Sequence, residues 1–115
     1  MITGVGAPEF ARQLHELGFS VGQQSDFLVF AFTVPLGSRV GEVVRLGLQI
    51  PADFPATPPT GPHVCPRINH PSGAVHASPL GSDWAYWSRP FPNWPRTDRT
   101  ASSYLAHVRA LFAQL

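Results

Sequence analysis

Phe54-Pro55-Ala56-Thr57-Pro58-Pro59, followed by His70-Pro71, Gly73-Ala74-Val75-His76 and, eight residues further on, Trp84, form the stretch around which the rest of the chain is arranged. Eleven of the thirteen prolines lie between Pro51 and Pro95, a density that on its own would suit a disordered linker. The same span carries Phe54, Trp84, Tyr86, Trp87, Phe91 and Trp94, and disordered segments are poor in aromatic residues. The sequence therefore predicts an ordered, non-repetitive loop stiffened by proline, with a small sheet before it and a closing helix after it.

Working upstream, Pro8 suits the first residue of a helix, where its missing N–H would have had no partner. Phe10, Leu14 and Leu17 recur at helical spacing and Gly18 supplies a left-handed stop, which predicts a helix over residues 8–17. Residues 19–23 alternate apolar with small or polar side chains as a short strand does, and residues 24–26 make a turn. Residues 27–34 are aromatic and β-branched on both faces, the pattern of a strand in the middle of a sheet. After a turn at 35–38, residues 44–50 show a period of two, with Val44, Leu46, Leu48 and Ile50 on one face and Arg45 and Gln49 on the other. A fourth strand over 63–65 is hemmed in by Pro62 and Pro66, which confine it to an edge or to a short length.

Downstream, Asp98 or Thr100 can cap a helix in which Tyr104, Leu105, Val108, Leu111, Phe112 and Leu115 form one apolar stripe. The resulting expectation is an α+β fold: one domain over residues 1–115, with an N-terminal helix, a four-stranded antiparallel meander, a long ordered Pro/Trp-rich loop and a C-terminal helix. A chain of 115 residues with 43% apolar content has enough material for one core.

Composition narrows the function. A net charge of +1 with only 13% charged residues leaves no basic cluster for counterion release, which argues against nucleic acid as a partner. All eight basic residues are arginine; lysine is absent, a pattern that codon bias explains and that would also suit a protein handling activated carboxyl termini. Cys65 is the only cysteine, so no internal disulfide forms and a reducing cytoplasm is the expected location. No segment is long and apolar enough to span a bilayer. His63, His70 and His76 have no spacing typical of zinc, and phosphate-cradling glycine loops are missing, so neither metal nor cofactor is expected.

The order of these motifs resembles the ubiquitin-conjugating (UBC) fold, in which an aromatic-Pro-x-x-Pro-Pro segment leaves the last sheet strand, a His-Pro turn follows, and a Gly-x-x-Cys segment carries the thiol. The run Trp84-Ala85-Tyr86-Trp87-Ser88-Arg89, with Trp94, Asp98 and Tyr104-Leu105, is similar to a prokaryotic branch of that superfamily. Members of the branch are typically encoded beside a ubiquitin-like protein, an activating enzyme and a JAB-type peptidase. The resemblance thus implies a bacterial conjugation pathway in antiphage defence, with the ubiquitin-like protein and the activating enzyme as partners. Two departures stand out. His76 occupies the place of the thiol, and Ser72 follows Pro71 where the family has an asparagine, while Asn69 precedes His70.

A transthiolation relay needs a thiolate, which attacks well and leaves well. Without one, three readings are open. The domain has lost the thioester step and works by binding a ubiquitin-like partner, His76 being a polar loop residue. Alternatively, His76-Ala77-Ser78 is extended, so that His76 and Ser78 share a side and His76 activates the Ser78 hydroxyl for an oxyester, with Ser72 and Ser82 as spare hydroxyls; His70 is a further catalytic candidate, and the resemblance implies for Asn69 the place of the family's carbonyl-orienting asparagine. The third reading makes Cys65 the nucleophile, against the tendency of lone cysteines to be buried. Trp84, Trp87, Arg89 and Trp94 are the candidate partner contacts, since tryptophan and arginine dominate protein interfaces; the competing reading makes the tryptophans core cover for the loop.

Overall fold

A computed structural model describes residues 4–115. It is an α+β arrangement of helix α1 (Gly6–Glu16), strands β1 (Val21–Gln24), β2 (Phe27–Thr33), β3 (Val43–Gln49), β4 (His63–Cys65), β5 (Val75–Ser78) and β6 (Gly81–Trp87), a single 3-10 turn at Trp94–Arg96, and helix α2 (Ala101–Ala113). All strand pairings are antiparallel, in the order β1-β2-β3-β4-β6-β5.

The sheet has six strands, not four. The additional pair, β5 and β6, lies inside the segment that the sequence marks as a non-repetitive loop. The prolines there flank strands instead of interrupting them: Pro71, Pro79 and Pro90 bound two proline-free windows, and each window holds one strand. Because β6 pairs with β4, the short β4 lies at the sheet's centre beside β3, and β2 lies one place in from the edge. Pro62 and Pro66 limit its length without excluding it from the interior.

The helix boundaries shift for local reasons. α1 begins at Gly6, so Pro8 falls at its third position, still within the first turn where N–H groups lack intrahelical acceptors. At its far end the Phe19 amide bonds to the Leu14 carbonyl (3.0 Å) and the Gly18 amide to that of His15 (3.0 Å), with Gly18 at φ +96°. This is a Schellman cap. It commits Phe19 to the helix end and to packing against the core, and β1 starts two residues later than the alternation suggests. Thr100 is the cap of α2, its Oγ accepting the Ser103 amide at 3.1 Å.

One sheet face is roofed by the two helices. Phe30 and Phe32 of β2, Val44, Leu46 and Leu48 of β3, Val64 of β4 and Trp87 of β6 meet Phe10, Leu14, Tyr104, Leu105, Val108 and Phe112 in one cluster. Among the described residues no helix covers the opposite face. Phe27, Val29, Leu80 and Trp84 form a second, smaller apolar cluster there, with half-buried Cys65 against it. The Arg45 guanidinium lies 5.5 Å from the Trp84 ring centroid, extending the cover as a cation–π contact.

Candidate functional site

The helix-free face owes its chemistry to a turn. A register irregularity between Ala77 and Ser78, together with Gly81 at φ +144°, folds Pro79 and Leu80 back across β6. Leu80 then packs over Gly47 of β3, where any Cβ would collide with it. In register with Gly47 lies His63, and in register with His63 lies Tyr86. The His63 ring stacks on Tyr86 (centroids 4.4 Å) and meets Phe27 edge-on (4.7 Å), leaving the residue 5% exposed.

Ser78 closes this arrangement. Its Oγ lies 2.7 Å from His63 Nδ1 and accepts the Leu80 amide at 3.1 Å. When the ring carries its proton on Nε2, the Ser78 hydroxyl donates to Nδ1 while its oxygen accepts from Leu80. Burial pushes the imidazole pKa down to about 4, which leaves the ring neutral at physiological pH.

The partner of Ser78 is therefore His63 and not His76. β5 is extended over residues 76–78, as expected, and His76 and Ser78 both lie on the face of Tyr86 and His63, but the hydrogen bond of Ser78 is with His63. His76 is exposed, its ring centroid 6.0 Å from that of Tyr86. His63 stood in the sequence only as a histidine lacking zinc spacing. Its approach to Ser78 depends on β4 and β6 pairing across more than twenty residues, which no local pattern encodes.

The other candidates are dispersed. His70 is buried, its Nε2–H donating to the Leu111 carbonyl (2.9 Å) and its Nδ1 accepting the Ser72 amide (3.1 Å), so one ring nitrogen ties the His-Pro turn to α2 and the other closes the turn on itself. Asn69 is exposed beside it. Trp87 and Trp94 are fully enclosed, their indole N–H groups donating to the Ile68 and Pro55 carbonyls at 2.9 Å each. Arg89 donates to the Gly73 carbonyl at 2.7 Å and to that of Ser88, clamping the start of β5. Trp84 alone of the four lies on the helix-free face, 5% exposed beneath Leu80 and Arg45. Cys65 lies on that face as well, two residues along β4 from His63.

Comparison with known proteins finds no match: no family model, no curated protein and no solved structure aligns with the chain. Among the described residues no three of His, Cys, Asp and Glu gather as a metal-holding group, and no helix is long and apolar enough to cross a membrane. The arrangement itself offers a hydroxyl hydrogen-bonded to a neutral imidazole, at the end of an edge strand.

His63 and His107 make stability depend on pH in a defined window. His63 is held well below its ordinary value, and His107 is lowered by burial and by Arg89. The unfolded chain thus binds more protons than the folded one between about pH 6.5 and pH 4, and stability falls as pH falls through that range. The melting temperature should decline on acidification from pH 7 to pH 4, and His63→Phe should flatten the decline. An unchanged slope in that variant would show that His63 is not buried in its neutral form.

Proposed function

We propose that the protein is a UBC-like domain of a bacterial ubiquitin-like modification pathway that receives the C-terminal tail of a ubiquitin-like protein along β5, without forming a thioester. The supporting observation is the position of His76. The residue that motif order puts in place of the thiol is exposed on an edge strand, while the sole cysteine sits on β4 with β6 between it and that edge. The Ser88 amide bonds to the Ala74 carbonyl and the Trp87 amide to that of Pro62, so the alternation of an antiparallel ladder turns the backbone groups of Val75 and Ala77 outward. An extended tail can add there as a further strand. The activating enzyme would deliver the tail, and a JAB-type peptidase and an antiphage role belong to the same reading.

The test is incubation of the isotopically labelled protein with a bacterial ubiquitin-like protein, its activating enzyme and ATP. Amide resonances of residues 75–78 should shift, and no adduct cleaved by dithiothreitol should form. A dithiothreitol-sensitive adduct at Cys65, or resonances that stay in place, would overturn the proposal.

A further inference from the structure

We infer that Ser78 and His63 form an acyl-accepting pair, with Ser78 Oγ as nucleophile and His63 Nδ1 as the base that takes its proton. The inference rests on the reading above for the identity of the acyl donor, though not for the reactivity of the pair. Serine hydroxyls are almost fully protonated at neutral pH and need an adjacent base. Here the base is in contact at 2.7 Å, and the Leu80 amide anchors the same Oγ at 3.1 Å. An ST-type turn would be complete with the Leu80 bond alone; the imidazole is additional to it.

The base is held rigidly. Tyr86 stacks against one side of the ring and Phe27 meets it edge-on, so the Nδ1 lone pair has little freedom to leave the hydroxyl. The groups around it from each packed element are Tyr86 from β6, His76 from β5 beyond Tyr86, Cys65 from β4 and Arg45 from β3, and no carboxylate hydrogen-bonds to the ring. Burial keeps the ring neutral, the form that can take a proton, and also lowers its basicity below that of a free imidazole, so the case for the pair rests on the contact geometry. The nucleophile is accessible: Ser78 is half-buried, its register partner Gly81 has no side chain, and its neighbours Ala77 and Pro79 are exposed.

The substrate class is an activated acyl group at the end of an extended chain, such as a peptidyl thioester. Ser78 Oγ attacks the carbonyl carbon, a C–O bond forms as the C–S bond breaks, and the hydroxyl proton passes to His63 Nδ1 and on to the leaving thiolate. The products are a serine oxyester and a free thiol, with no change of oxidation state. Attack by an amine on the oxyester would release the acyl group as an amide and restore the Ser78 hydroxyl.

A fluorophosphonate serine probe tests the pair without any partner protein. Peptide mapping should place the phosphonyl group on Ser78, and Ser78→Ala should abolish labelling at that position. His63→Phe keeps a ring stacked on Tyr86 but removes the base, and should slow labelling at least about 100-fold, the lower end of what a positioned base supplies. A nitrogen-15 spectrum of the unsubstituted protein at pH 7 should show His63 Nδ1 unprotonated, a readout that does not depend on any variant folding. No probe on Ser78, equal rates in His63→Phe, or a protonated Nδ1 would each overturn the inference. Labelling of Ser78 without a response of residues 75–78 to the ubiquitin-like protein would uphold the pair and remove its proposed donor; the reverse result would remove the pair and leave the docking reading standing.

Discussion

A chain ending at Ser103 should show no cooperative thermal unfolding. The residues removed include Tyr104, Leu105, Val108, Leu111 and Phe112, all buried in the main cluster. At about 1.5–3 kcal/mol for each large apolar side chain, their burial contributes on the order of 10 kcal/mol before entropy is subtracted. That is comparable with the net stability of roughly 5–15 kcal/mol typical of a whole domain. The loss is wider than the helix. Phe112 packs 5.8 Å from Phe32 and 5.0 Å from Trp87, and Leu111 supplies the carbonyl that holds buried His70. Without α2 the His-Pro turn loses its anchor on the helix, and the helix-covered face of the sheet opens to water. Circular dichroism against temperature checks this: a sigmoidal melt in the shortened chain would show that α1 and the sheet form the folding unit without it.

The apolar stripe of α2 was legible because it needs only i, i+3 and i+4 spacing within one segment, and the alternation of β3 was legible for the same reason. β5 and β6 were not. Their residues carry strand-like aromatic content, but the prolines around them dominate any local window, and only pairing with β4 reveals the windows as strands. The tryptophans show a second limit. A run of indoles and an arginine reads equally as a contact surface or as interior, and the deciding fact is that Trp87 and Trp94 find carbonyl acceptors on Ile68 and Pro55, far away in sequence. Ser78 is legible as a hydroxyl in a short extended segment, but the imidazole beside it comes from β4. The i, i+2 rule proposes His76 because it reads β5 alone, whereas His63 arrives through the pairing of β4 with β6.

Gly61→Ala should lower the melting temperature by roughly 10 °C, a loss of about 3 kcal/mol, although it adds a single methyl group. A Cβ at this position would be built onto the Trp87 carbonyl oxygen and 3.0 Å from the Arg89 nitrogen. Both are backbone atoms, so no side-chain rotation relieves the clash. They are also pinned, since the Trp87 amide bonds to the Pro62 carbonyl and the Ser88 amide to that of Ala74. Relief therefore requires the segment before β4 to move away from the end of β6, which stretches the pairing of His63 with Tyr86 next to it. Gly22→Ala provides the comparison. Gly22 is exposed on β1, its added Cβ would meet only the Val29 carbonyl oxygen at an ordinary 3.8 Å, and its φ is not left-handed, so the change should stay within about 0.5 kcal/mol. Equal melting temperatures for the two variants would show that the chain before β4 and the end of β6 are not in backbone contact. The same contact sets the spacing of the candidate pair: β6 carries the ring on which His63 stacks, and the turn leading into β6 carries the amide that orients Ser78. Displacing β6 from β4 should then slow probe labelling of Ser78 in any Gly61→Ala protein that remains folded, linking a steric constraint among backbone atoms to the chemistry on the face beside it.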